Sequence, residues 1–198
     1  MSFINPRDKE INCKIVYCGP AFAGKSTTIR QIYDKANGLK SSKKERMMSL
    51  TEEKDRTLYF DFLPLDLGEV KGFRIRLHLY SVPGQALYAN NRKIILKGVD
   101  GIIFVADSQI EKMESNLESL SNLQKNLEEI DADWRRLPFA FQYNKRDLGN
   151  AAPVPQLRTF LNPEHLPDFE SIATEGGGVM EGMQSMARRV LQELKKQS

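Results

Sequence analysis

The sequence predicts an α/β domain built on a mostly parallel, doubly wound sheet with helices on both faces. Short apolar runs alternate with longer segments of helical periodicity, and a glycine-rich loop follows the first apolar run. The chain has 198 residues, 40% of them hydrophobic, which is enough to bury one core. We therefore expect a single domain over residues 1–198.

The first predicted elements are a strand, a helix and a loop. Residues 11–18 read INCKIVYC, an apolar strand, and apolar side chains recur at helical spacing from Ile29 to Ala36. Residues 37–57 carry many charges and few apolar side chains. This composition predicts a long mobile loop.

The middle of the chain predicts an antiparallel hairpin. Two strands lie within residues 58–80, joined by a turn between Gly68 and Gly72. The second strand alternates apolar and polar side chains, and the short connection requires antiparallel pairing. The sheet is therefore expected to have one antiparallel edge strand.

The remaining elements are central strands and amphipathic helices. Residues 101–106 and 139–143 are almost wholly apolar, which is typical of parallel strands covered on both faces. Apolar residues at helical spacing predict one long helix between these strands and another at the C-terminus. They are Met113, Leu117, Leu120, Leu127 and Ile130 in the first helix, and Met183, Met186, Val190, Leu191 and Leu194 in the second.

Composition excludes several classes of protein. With 29 Lys+Arg against 26 Asp+Glu, the net charge of +3 falls short of a dedicated nucleic-acid binder. Cys13 and Cys18 are five residues apart in one strand, on opposite faces, so we expect two buried thiols in a reducing compartment rather than a disulfide. We find no secretory signal, spanning segment or lipidation motif and expect a cytoplasmic protein without a direct membrane anchor.

Residues 19–26 read GPAFAGKS and match the phosphate-loop pattern GxxxxGK[ST] between a strand and a helix. There, backbone N–H groups and the helix dipole favour phosphate. Gly24 allows close approach of the backbone, Lys25 supplies charge to phosphate oxygens, and Ser26 is a magnesium ligand. The other expected contacts are Gly19, Ala21, Phe22, Ala23 and Thr27. The alternative, a helix start without a ligand, is disfavoured by the flanking strand and helix.

A second motif, NKRD, directly follows the strand at residues 139–143 and indicates which base is bound. The Asp147 carboxylate can accept two hydrogen bonds from the N1–H and amino group of guanine, and adenine offers no such pair on that edge. The stem of Lys145 can lie over the base, and Asn144 is a further expected nucleotide contact. These residues disfavour a phosphate-loop kinase or ATPase.

These motifs together resemble the Ras superfamily of small GTPases and, within it, the MglA family of bacterial gliding-motility and polarity switches. The resemblance covers essentially the whole chain and is strongest in TLYFDFLPLDLG (57–68), SVPGQ (81–85), ILKGVDG (95–101) and QYNKRDL (142–148). It implies a Ras-like G domain that binds GTP or GDP with Mg²⁺ and hydrolyses GTP slowly. It also implies that the Ala173 N–H, in the last guanine loop with Thr174, meets the guanine carbonyl.

The same resemblance implies the residues of hydrolysis. The Gly84 N–H would meet the γ-phosphate, and Gln85 would orient the attacking water. Thr57 would bind magnesium and the γ-phosphate. Arg56 is a candidate arginine finger supplied within the chain, the alternative being a solvated loop residue.

Two departures from the Ras pattern affect the predicted chemistry. Ser81 stands where most Ras-like proteins have a magnesium-linked aspartate, and we expect Asp61 to supply that carboxylate instead. Ala21 stands where close relatives generally have glycine, and its Cβ would crowd the γ-phosphate. Both departures favour an alternative function, a GTP-locked binding module with little turnover, whereas Gln85 and Arg56 argue against it.

The resemblance also implies partners. We expect a monomer that shifts residues about 37–61 and 81–93 when the γ-phosphate is lost, activated by a dimeric roadblock-type protein like MglB. It would be recruited to a cell pole and act on polarity or motility effectors of gliding or type IV pili. For Arg74, Arg76 and His78 on the hairpin, an effector-binding role and a plain solvated face carry equal weight.

Overall fold

The computed structural model describes residues 3–5, 8–39, 47–50, 60–70, 72–83 and 89–197. They form eight strands, five α-helices and one 3₁₀ turn, Ile110–Lys112. The strands are β1 (Phe3–Asn5), β2 (Glu10–Cys18), β3 (Met48–Leu50), β4 (Phe60–Val70), β5 (Phe73–Ser81), β6 (Gly101–Asp107), β7 (Phe139–Asn144) and β8 (Asp168–Glu170). The helices are α1 (Lys25–Leu39), α2 (Ala89–Leu96), α3 (Met113–Glu128), α4 (Val154–Leu161) and α5 (Val179–Gln197).

The strands make one sheet in the order β3-β4-β5-β2-β6-β7-β8, and β1 pairs with the start of β2. Strands β5, β2, β6, β7 and β8 are parallel to one another. The pairs β3–β4 and β4–β5 are antiparallel. The predicted fold class, a Ras-like α/β domain with a mostly parallel sheet, is confirmed.

The antiparallel part of the sheet is larger than expected. Met48–Leu50 pairs with the outer edge of β4, inside the stretch that the sequence predicts to be a loop. Three residues among charged neighbours give too little periodicity to predict a strand. The short elements α2, α4 and β8 were missed for the same reason.

Helices cover the sheet on both faces, and alternate residues of β2 point to opposite sides. Ile15 and Tyr17 pack in the core beneath α1 and α5, whereas Val16 and Cys18 pack in the core beneath α2, α3 and α4. Strands β6 and β7 are buried along their whole length. The two cores hold the carboxyl ends of the parallel strands in fixed positions.

The two cysteines are free, buried and on opposite faces, as predicted. Burial raises the pKa of the Cys13 thiol to about 12, with a further contribution from Asp100, and burial likewise raises the pKa of Cys18 to about 12. Among the described residues, no helix is both long and apolar enough to cross a bilayer.

Candidate functional site

Of the predicted site residues, those of the phosphate loop, the NKRD motif and the loop at Ala173 come together at the carboxyl ends of β2, β6, β7 and β8. Strand β2 is central: strands β3 to β5 lie on one side of it and strands β6 to β8 lie on the other, so the strand order reverses at β2. Open α/β sheets bind ligands at this kind of reversal. The loops that follow β2, β6, β7 and β8 meet there.

The phosphate loop has a tightly curled backbone that requires glycine at two positions. Gly19 has φ +134° and Gly24 has φ +99°. A Cβ at Gly19 would lie 2.1 Å from the Val105 carbonyl oxygen, and one at Gly24 would lie 2.2 Å from Asn144 Nδ2. Helix α1 begins at Lys25, so its first N–H groups face the loop. This arrangement can hold an anion.

Lys25 is buried inside the curl of the loop. Its Nζ donates to the Gly19 carbonyl at 2.9 Å and to the Pro20 carbonyl at 2.6 Å. An ammonium has three N–H donors, so a third is available to a ligand. Burial lowers the pKa of Lys25 to about 8; Cys18 and Asp61 oppose this shift and Arg92 adds to it. A phosphate placed here would restore the ammonium's preference for its charged form.

Asn144, at the end of β7, ties three loops together. Its Nδ2 donates to the Ala23 carbonyl at 2.8 Å, in the phosphate loop. Its Oδ1 accepts from the Ser171 hydroxyl at 3.0 Å and from the Ala173 N–H at 2.9 Å. The side chain is 2% exposed. Asn144 therefore fixes the geometry of the site from a buried position.

Gln142 extends this buried network toward α1. Its Nε2 donates to Thr28 Oγ1 at 3.0 Å and to Ser171 Oγ at 2.9 Å. Both residues, like Ser171, are almost fully buried. The network joins the first turn of α1 to the loop that follows β8, here called the last loop, and restrains the position of both.

A cavity of about 200 Å³ opens where these loops converge. It is lined by Phe22, Gly24, Thr27, Asn144, Lys145, Asp147, Leu148, Ala173 and Thr174. All but Leu148 were predicted from the sequence as binding residues. The structure thus brings the phosphate loop, the NKRD motif and the last loop to one cavity.

Lys145 is held by a carboxylate that the sequence analysis missed. Its backbone has φ +66°, and its Nζ lies 2.5 Å from Oδ2 of Asp107, the buried last residue of β6. With the ammonium fixed, the aliphatic stem lies along the cavity. The signal for Asp107 was a charged residue directly after the apolar run GIIFVA.

Ala173 lines the cavity, and its N–H already has an acceptor. It donates to Asn144 Oδ1 at 2.9 Å, so a bond from this N–H to a base would have to be shared with Asn144. The next residue, Thr174, is exposed at the cavity wall.

Asp61 and Ser81 form a buried pair near the phosphate loop. The Ser81 hydroxyl donates to Asp61 Oδ2 at 2.7 Å, and the Asp61 N–H donates to Ser81 Oγ at 3.0 Å. The charge of Asp61 acts on Lys25. The Asp61 carboxylate therefore stands beside the residue that replaces the usual aspartate.

These residues fit a magnesium site of the kind that phosphates complete. Magnesium binds few protein oxygens, keeps several waters and takes its other ligands from substrate phosphates. Ser26 is exposed at the start of α1, and Asp61 supplies a nearby carboxylate. Among the described residues, no three or more His, Cys, Asp or Glu side chains cluster as candidate metal ligands.

Four predicted residues, Arg56, Thr57, Gly84 and Gln85, lie outside the described residues.

The basic side chains of β5 are paired along the sheet. Arg74 contacts Asp66 at 3.7 Å, Arg76 contacts Glu10 at 3.2 Å, and His78 Nε2 lies 2.8 Å from Asn12 Oδ1. The carboxylates of Asp66 and Glu10 offset the positive charge of Arg74 and Arg76.

The comparisons with known proteins add two relatives. The chain is 53% identical over 196 residues to Mutual gliding-motility protein MglA of Myxococcus xanthus, a match that covers 99% of each chain. It is 22% identical over 168 residues to uncharacterized protein MJ1339 of Methanocaldococcus jannaschii, covering 85% of this chain and 92% of that one. No protein-family model matches the chain.

Proposed function

The chain belongs to the MglA family, and from that premise we propose that it is a small GTPase that switches between GTP-bound and GDP-bound forms. One observation carries the proposal: the phosphate loop, the NKRD motif and the last loop line a single cavity and are tied together by Asn144. A site assembled in this way can bind the phosphates and the base of one nucleotide at the same time.

The choice of base rests on Asp147. Its exposed carboxylate lies at the cavity wall, where it can accept two hydrogen bonds from guanine. Adenine would leave this carboxylate unpaired in the complex, which costs several kilocalories per mole. Lys145, held by Asp107, covers the base with its stem.

The proposed reaction is in-line attack of water on the γ-phosphate, giving GDP and phosphate. Lys25 stabilises the charge that develops on the phosphate oxygens from its buried position in the loop. Gln85 orients the water, the Gly84 N–H binds the γ-phosphate, and Arg56 is the proposed finger. Slow turnover is expected because Ala21 crowds the γ-phosphate.

Ser26, Thr57 and Asp61 would hold Mg²⁺, the last through a water molecule. When bound, the ion neutralises charge on the phosphates. Asp61 suits this role because its partner Ser81 fixes the carboxylate, and because its charge already acts on Lys25.

The proposed biological role is taken from the name of the 53% identical relative. MglA of Myxococcus xanthus is called a gliding-motility protein, and we propose that this chain controls bacterial polarity or motility. Its activating partner would be a dimeric roadblock-type protein like MglB. We propose that the protein is monomeric and cytoplasmic and is recruited to a cell pole. Its signal would be a change in conformation of residues about 37–61 and 81–93.

A GTP-locked binding module is the second candidate, because Ala21 stands where close relatives generally have glycine and its Cβ would crowd the γ-phosphate. The Asp61–Ser81 pair argues against it, since it supplies the carboxylate whose absence would impair magnesium binding. Turnover of the unmodified chain separates the two candidates, and faster hydrolysis by Ala21→Gly would show that the Ala21 side chain limits the reaction.

Single-turnover hydrolysis with Mg²⁺ tests the proposal. We expect GTP but not ATP to be hydrolysed slowly, and faster with a cognate roadblock-type protein. Tight GTP binding with no turnover under either condition would favour the locked module. Equal turnover of ATP would contradict the guanine site.

A further inference from the structure

Phe22 is unusual among the residues of the phosphate loop. It is a large apolar residue between the small residues Ala21 and Ala23. Its backbone is left-handed, with φ +63°. Its side chain is 86% exposed, the highest value among the exposed large apolar residues of the described chain.

Neither feature stabilises the fold itself. The left-handed conformation suits the anion cradle, because it turns successive N–H groups inward, but glycine would adopt it without strain. Phenylalanine adds a Cβ clash there. An exposed ring also contributes no burial. The ring is therefore free to contact a molecule bound in the cavity that it lines.

The position of the ring indicates what it contacts. Phe22 lines the same cavity as Lys145, Asp147 and Leu148. Leu148 is a second exposed apolar side chain, 36% exposed. Two apolar side chains thus border the cavity beside the carboxylate proposed to read the base.

We propose that the Phe22 ring closes over the sugar and base edge of the bound guanine nucleotide and slows its release. The inference rests on the proposed function. The backbone of Phe22 belongs to the loop that holds the phosphates, so its ring reaches the part of the nucleotide next to them. The sugar and base edge present C–H groups that the ring can shield from water. Release of the nucleotide then requires the ring to move aside first, whereas a nucleotide can enter the site before the ring closes.

Release of tritiated GDP into excess unlabelled GDP with Mg²⁺ tests the inference, because this label leaves the sugar unmodified. We compare the wild-type chain with Phe22→Ala, Phe22→Gly and Phe22→Leu. The Ala and Gly variants should release GDP about tenfold faster, since they lose most of a buried aromatic contact. Phe22→Leu should stay within about threefold of wild type, because it retains apolar bulk.

Two controls separate a nucleotide contact from a change in folding. Phe160, in α4, is 51% exposed and lines a different cavity, so Phe160→Ala should release GDP at the wild-type rate. Phe22→Gly removes the strain as well as the ring, so it should melt no lower than wild type while releasing GDP faster. Faster release with undiminished stability supports the inference.

The contradictory outcomes are distinct. If the wild-type chain retains GDP and both Phe22→Ala and Phe22→Gly release it at the same rate, this inference is wrong and the proposed function stands. If the wild-type chain does not retain GDP at all, the proposed function fails together with the inference.

Discussion

The two ends of the proposed site are built differently. The base side, formed by the loops after β7 and β8, is fixed by a buried network through Asn144, Gln142 and Ser171. On the proposed γ-phosphate side, the described residues include Lys25 and the Asp61–Ser81 pair, which joins the ends of two antiparallel strands. A rigid base side can keep a nucleotide bound while the γ-phosphate side changes with its charge. This division suits a switch.

The largest expected effect is on the base side, in Asp147→Asn. Exchanging the carboxylate for an amide removes one acceptor and places a donor against the guanine amino group. We expect GTP affinity to fall by about a thousandfold or more, measured by titration calorimetry. The amide can donate to the carbonyl that xanthine carries in place of the amino group, so XTP should gain affinity. Unchanged GTP affinity would contradict the role of Asp147.

Asn144→Ala tests whether the base side is rigid because of its network. The change orphans the Ala23 carbonyl, the Ala173 N–H and a bond of Ser171. We expect a loss of about 2–4 kcal/mol in urea unfolding and a GDP affinity about a hundredfold lower. Asn150→Ala, at an exposed asparagine, is the matched control and should change neither. A stable Asn144→Ala variant with normal affinity would show that the loops keep their arrangement without the hydrogen bonds of Asn144.

Asp61→Ala tests the γ-phosphate side. Losing the carboxylate should raise the magnesium concentration needed for half-maximal GTP retention by about tenfold. GDP binding without magnesium should change little, because the base side is untouched. Asp66→Ala, which removes another carboxylate of β4, serves as the control. An unaltered magnesium dependence in Asp61→Ala would remove Asp61 from the site.

The smallest effect concerns the two thiols, which lie on opposite faces of β2. With the pKa of each near 12, only about one in ten thousand is ionised at pH 8. Cys13→Ser and Cys18→Ser each leave one thiol to follow with a disulfide reagent. Both should react slowly in the folded chain and rapidly in urea. A fast reaction of Cys18 in the folded chain would indicate that the core beneath the phosphate loop opens often, and would contradict a rigid support for that loop.

The sequence predicted what depends on local patterns. The phosphate loop, the NKRD motif and the buried strands β6 and β7 each carry their signal within a few residues. Their meeting at one cavity follows from the parallel order of the strands. For this reason nearly every residue of the cavity wall was named in advance.

The features that it missed depend on contacts between distant residues. Asp107 holds Lys145 from 38 residues away. The NKRD motif did not reveal that the Asn144 amide ties together loops that lie far apart in the chain. The three residues of β3 form a strand only because β4 offers them an edge.

Titration calorimetry of the full chain with GDP and with ADP, each with Mg²⁺, tests the central claim most directly. A cavity that joins a phosphate loop to the Asp147 carboxylate predicts that GDP binds at least about a thousandfold more tightly than ADP. Equal affinities, or no binding of either nucleotide, would contradict the account.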